Sequence, residues 1–167
     1  IKNSRSPNPS LLIVDAQSVK NADTATEKGY DAGKQVSGIK RHLAVDTLGF
    51  PHAIQITTAN VTDRKAALEM FQSADRSLSD VAIVLVDGNY TGAQFAEDIF
   101  ELLGATVMVA KRSELHRFVV IPKRWIVERS FAWLDKCRRL WKNCERHLHT
   151  SHQMVVLAFL ALLLKRF

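Results

Sequence analysis

The chain is poor in the features that would tie it to a membrane or to the outside of a cell. Only two of its 167 residues are cysteine, Cys137 and Cys144. That is too few for a disulfide framework, and a reduced compartment is expected. The longest apolar run, Met154 to Leu164, falls short of the ~20 residues that cross a bilayer. It reads as a core helix, and no membrane partner is expected. Four prolines and seven glycines exclude a collagenous or low-complexity chain and leave each as local punctuation. No Cys-x-x-Cys pair accompanies Cys144, His147, His149 and His152, so a zinc site is not expected. These histidines read instead as marking a helix C-terminus and turn, where a cation is favoured. No secretory signal is visible in residues 1–10, which read as a linker or lead-in. The missing initial methionine suggests a piece of something longer.

What is present is ordinary globular material, 47% hydrophobic and 24% charged, expected to form one domain over residues 11–167. The net charge of +6 is unevenly spread. Residues 111–149 carry 11 Lys/Arg against 4 Asp/Glu, whereas residues 1–110 carry 10 against 13. Basic clustering of this kind is the footprint of a surface that holds a phosphate backbone.

Along the chain, "LLIVD" reads as a strand covered on both faces, and residues 21–38 as a long glycine-containing loop. "IKRHLAVDTLGFPHAIQITT" reads as two strands joined at a turn where Asp46 supplies the side-chain acceptor. "NVTDRKAALEMFQSA" switches to helix, capped by Thr62 or Asn60, with Asp63 in its first turn and Ala66, Ala67, Met70 and Phe71 inward. "VAIVLVD" is a second buried strand. A helix closed by Gly104 follows, then a short strand, a basic loop over 112–123, and helices over 124–147 and 151–165. Trp125, Trp133 and Trp141 recur every eight residues and read as core or interface. The predicted fold is α/β, with a mixed central sheet flanked by helices and a C-terminal helical pair. This element order is that of the ribonuclease H-like fold.

Asp15 and Asp87 share one setting, each ending a run of Ile, Val and Leu. A carboxylate inside such a strand is costly, but at its carboxyl end it can face a cleft. Glu128, in the arginine-rich late helix, is either a surface acid supported by its neighbours or the third member of a metal-binding set. Three such oxygen donors suit Mg²⁺ or Mn²⁺, and two ions can activate a nucleophile and stabilise a leaving oxygen at a phosphodiester.

The ordered blocks "IVDAQSVK", "GYDAGKQVSGIKRHLAVDTLG", "TTANVTDRKAAL", "VDGNY" and "RWIVERSFAWLDKCRRL" resemble the catalytic domain of bacterial insertion-sequence transposases of the Asp-Asp-Glu type. The resemblance runs from about Leu11 onward. It implies that Asp15, Asp87 and Glu128 are the catalytic metal ligands. It further implies cleavage at transposon ends, attack of the freed 3′-hydroxyl on target DNA, and a synaptic assembly of at least two chains in the bacterial cytoplasm, associated with the nucleoid. Of the related Tyr-Arg-Glu-Lys signature, Arg124 matches the arginine, while Ile121 and Asp135 replace the tyrosine and the lysine. Lys136 lies beside the lysine position. Arg129, Arg138, Arg139 and Lys142 are further candidate phosphate contacts, with His42 and Tyr90 as candidates beside the cleft. A separate or upstream segment would recognise the transposon ends. The alternative is a transposase remnant, truncated or domesticated, that binds DNA or assembles without cutting it.

Overall fold

The computed structural model describes residues 8–74, 78–110 and 123–165. Six strands form one sheet: β1 (Leu11–Lys20), β2 (Gly29–Asp31), β3 (Val36–Val45), β4 (Pro51–Thr58), β5 (Ile83–Val86) and β6 (Thr106–Val109). Four helices flank it: α1 (Asp63–Ser73), α2 (Ala93–Leu103), α3 (Arg124–Asp135) and α4 (Leu148–Leu164). The strand order is β2-β3-β1-β5-β6, with β4 on the free edge of β3. Strands β1 to β4 pair antiparallel, whereas β1–β5 and β5–β6 are parallel.

Each central strand has helices over both faces, which explains its unbroken apolar runs. On one face, Leu12, Val14, Val84 and Val86 pack with Ala67, Met70, Phe95 and Ile99 from α1 and α2. On the other, Ile13, Leu43, Val45 and Leu85 meet Val127, Phe131 and Leu134 of α3 and Val155 and Phe159 of α4. The α1 reading holds in detail: Thr62 accepts from the Lys65 N–H, and Ala66, Ala67, Met70 and Phe71 are buried. Gly104 closes α2 at φ 68°, a conformation that favours glycine.

Three expectations need correction. Residues 29–31, placed within a loop, form β2, which curls back so that the Ser18 hydroxyl donates to Asp31 at 2.6 Å. The helix expected over 124–147 ends at Asp135, because the backbone beyond it has other partners. Arg41 takes the Leu140 carbonyl, and Asn143 pairs its main chain with Lys20 and Ala22. Cys137 and Cys144 therefore lie outside α3, both free. The histidine cluster opens α4 rather than closing a helix. There Glu27 accepts from the Leu148 N–H and faces His147 at 3.6 Å.

Asn143 is the joint that holds this irregular connection. Its buried side chain donates to Asn21 at 3.0 Å and accepts from the Ser151 hydroxyl at 2.7 Å. Asn143→Ala leaves both groups without these partners, and a thermal melt should show a loss of about 2 kcal/mol.

Candidate active site

Parallel pairing of β1 with β5 sets the site. The register aligns Ile13 with Leu85, so Asp15 and Asp87 each lie two residues further on, side by side. Asp87 follows the last residue of β5, whereas Asp15 sits in the middle of β1 opposite Leu43 and not at the strand end expected of it, because β1 runs on to Lys20 in its pairing with β3. Asp87 then starts a tight turn, accepting from the Asn89 N–H at 2.9 Å. Gly88 stands in open space, since a Cβ there would meet nothing within 4 Å.

Burial pushes the Asp15 carboxyl up to about 6, against a hydrogen bond from the Ala16 N–H that lowers it; the Asp87 charge adds to the rise. An ionised Asp15 in this setting is favoured by a cation close by. In the structure that cation is Arg124. Its Nη2 lies 3.5 Å from Asp87, and its Nε lies 3.7 Å from Glu128 one helical turn along α3.

Asp15 and Asp87 fit a divalent ion by chemistry and by placement: two hard oxygen donors side by side on adjacent parallel strands. Glu128 does not join them in this arrangement. It is largely exposed and engaged by Arg124, and no three acids or histidines among the described residues sit close enough to share an ion. A groove of about 550 Å³ between β4, α1 and α4 holds His52, His149 and His152, but it contains none of the three acids.

The other candidates separate clearly. His42 is fully buried, 2.9 Å from the Thr57 hydroxyl, and burial lowers its pKa to about 4; it is not a DNA contact here. Tyr90 is likewise buried, packed on Phe95, so it supports the turn after Asp87 from below rather than facing DNA. Burial drives its hydroxyl well above the ordinary tyrosine range, with Asp63, Asp15 and Asp87 adding to the rise. Arg129 is also spent. Its guanidinium donates to the Leu48 carbonyl at 2.7 Å and stacks on Trp125 and Trp133 at 4.7 and 5.0 Å. It ties α3 to the β3–β4 turn. Trp125 and Trp141 are 50% and 73% exposed, so they are not core.

Asp135, in the lysine position of the related signature, is claimed by Gln17 at 3.1 Å and by Arg41 at 3.9 Å. Lys136, Arg138 and Lys142 are exposed beyond the end of α3, and Arg139 pairs with Glu145 at 2.9 Å. The basic stretch 112–122 and Ile121 lie outside the described residues.

The sequence reading missed the role of Arg124 as the link between Asp87 and Glu128. Its spacing of four from Glu128 gave half of that signal. It also passed over Lys34, whose Nζ reaches the Ala16 carbonyl at 3.0 Å.

A mixed sheet in this order, with Asp15 of β1 beside Asp87 at the end of β5, has the ribonuclease H-like fold. The backbone is similar to a chain of the simian T-cell lymphotropic virus intasome, solved in complex with PP2A regulatory subunit B56 gamma. The TM-score is 0.58 at 16% identity, covering 93% of this chain and 49% of that one. Residues 6–164 match the family described as "Transposase DDE domain", and the chain belongs to that family. A Burkholderia cepacia protein named as a transposase for insertion sequence element IS402 is 30% identical over 116 residues, 65% of this chain and 54% of that protein. The chain thus spans about half the length of these relatives. No helix among the described residues is long and apolar enough to cross a membrane.

Proposed function

We propose that this chain supplies the catalytic centre for divalent-metal-dependent DNA cutting and strand transfer at the ends of an insertion sequence. The observation that carries the reading is the β1–β5 register, which brings Asp15 and Asp87 together from 71 intervening residues. Asp15 and Asp87 would hold the ion, Mg²⁺ or Mn²⁺, with Glu128 as the third donor. When bound, the metal lowers the pKa of water and neutralises charge on the phosphate.

The chain's own groups do the rest. Arg124 stands where it can exchange its two carboxylate partners for phosphate, which frees Glu128. Asp15, strained by burial when ionised, favours recruitment of a cation. The open space above Gly88 admits a DNA strand. End recognition and synapsis call for a second copy of the chain and for a DNA-recognising segment elsewhere.

The test is calorimetric titration of Mn²⁺ into the wild-type chain, Asp15→Ala, Asp87→Ala and Glu128→Ala, paired with a strand-cleavage assay on transposon-end DNA. The wild type should bind metal and cut. Both Asp variants should lose both properties, and Glu128→Ala should bind more weakly and fail to cut. If all four bind alike, the acids are not a metal centre, and a non-cutting DNA-binding module becomes the better reading.

A further inference from the structure

Arg124 guards the acids from one face of the sheet, because α3 packs over the Ile13 and Leu85 side. A second cation approaches from elsewhere. Asp31 at the end of β2 accepts from the Lys34 N–H at 3.1 Å, which tightens the β2–β3 turn. The same Asp31 is fixed by Ser18 at 2.6 Å and faces Lys40, itself buried and paired with Asp63 at 3.0 Å. The turn is thus bolted to the α1 side of the sheet. Gln35 in this turn adopts φ 54°, the left-handed region that a non-glycine residue enters only when its surroundings hold it there.

From that anchored turn the Lys34 side chain reaches the Ala16 carbonyl, next to Asp15, while the residue stays exposed. The carbonyl occupies one of three ammonium protons, leaving two for another acceptor. Asp15 feels the positive charge of both Lys34 and Arg124. Asp15 therefore has a cation near it from each of two elements, Arg124 from α3 and Lys34 from a turn more than 80 residues earlier.

We infer that Lys34 is a phosphate-contacting residue that, together with Arg124, grips the backbone of the DNA strand passing over Asp15 and Asp87. The inference rests on the DNA-cutting reading above and names a contact that reading did not contain. A purely structural role, satisfying the Ala16 carbonyl, needs only a hydrogen-bond donor. A phosphate contact needs the charge. Lys34→Gln keeps a donor and removes the charge, whereas Lys34→Arg keeps both.

The experiment is fluorescence anisotropy of labelled duplex DNA with the full chain across a series of salt concentrations, in EDTA so that cutting and metal do not enter. Lys34→Gln should flatten the dependence of log K on log salt by about 0.9 and weaken binding alike on unrelated sequences. Lys34→Arg should follow the wild type. If Lys34→Gln matches the wild type while the wild type shows a steep salt dependence, the inference is overturned and the DNA-cutting reading stands. If the wild type does not bind DNA at all, both fall. Melting temperatures of the three proteins should agree, and a large drop in Lys34→Gln alone would assign the lysine to holding the turn.

Discussion

Asp15→Asn should melt at a higher temperature than the wild type at pH 7 and, on the function proposed above, lose DNA cutting by at least about 10²–10³-fold. The carboxyl of Asp15 titrates near 6 in the fold, against 3.8 for a free aspartate, chiefly because it is buried. A raised carboxylate pKa means that the native state holds the proton more tightly than the unfolded chain. The contribution of Asp15 to stability is then highest below pH 3.8, falls as pH rises to about 6, and stays low above it. The full difference corresponds to about 3 kcal/mol, and because Asp15 is only part-buried the expected gain is reduced to about 2. Asparagine carries no charge and can still accept from the Ala16 N–H, which donates to Asp15 at 2.8 Å. For a domain of this size the gain amounts to roughly 4–8 °C. A site that becomes more stable when its acid is removed is one where function holds a strained group in place.

The pH dependence sharpens the test. His42 is buried as a neutral ring with its pKa lowered to about 4, so its contribution to stability is present above pH 6.5 and is lost as pH falls towards 4. Over that window Asp15 and His42 act in opposite directions with similar size, and the wild-type stability curve should be nearly flat. Asp15→Asn removes one of the two slopes. Its stability should decline steadily from pH 6.5 to 4 and converge on the wild-type value near pH 4. Denaturant melts at four or five pH values decide the matter. Parallel curves would show that burial is not what perturbs Asp15.

Much of this was legible in the sequence because several local signals agreed. The cap at Thr62, the turn at Asp46 and the stop at Gly104 all do what their residue types dictate: Asp46 accepts from the Leu48 and Phe50 N–H groups, and Gly104 takes a left-handed φ. The two acids were visible as charges that end apolar runs, though their meeting depends on a long-range register that no local spacing encodes. The central part of β3 was harder. "KRH" suggests at least one solvent-facing residue, yet Lys40, Arg41 and His42 are 7%, 1% and 0% exposed. Strand β3 is flanked by β1 and β4 and covered on both faces, so each polar side chain needs its own buried partner. Those partners, Asp63, Leu140 and Thr57, come from elements 15 to 99 residues away. Glu128 was expected as the third metal ligand; in the fold it lies exposed on α3 and pairs with Arg124, which also reaches Asp87, and that second contact exists only in the folded chain.

Arg41→Ala should be among the most destabilising single changes in the chain, about 3–5 kcal/mol, or a fall in melting temperature on the order of 10 °C. The guanidinium is fully enclosed, and burial lowers its pKa to about 10. It stays charged at neutral pH because Nη2 donates to the Leu140 carbonyl at 2.5 Å, Nη1 reaches Gln17 at 3.4 Å, and Asp135 lies at 3.9 Å. Truncation leaves a cavity beneath α3 and a carbonyl without its donor. Arg41→Met fills the space without restoring the hydrogen bond, so it should recover the packing part of the loss and leave the polar part. The consequence reaches the site through α3. Arg41 fixes the segment just past the helix end, where Trp141 donates to the Asp135 carbonyl at 2.8 Å, and α3 carries both Arg124 and Glu128. Loosening that end should weaken the Mn²⁺ affinity of Arg41→Met measured well below its melting point, although Arg41 contacts none of the three acids. An Arg41→Met protein that is destabilised yet binds Mn²⁺ as the wild type does would show that α3 is positioned from its N-terminal half alone, by Ile126, Val127 and the Arg129 contact with Leu48.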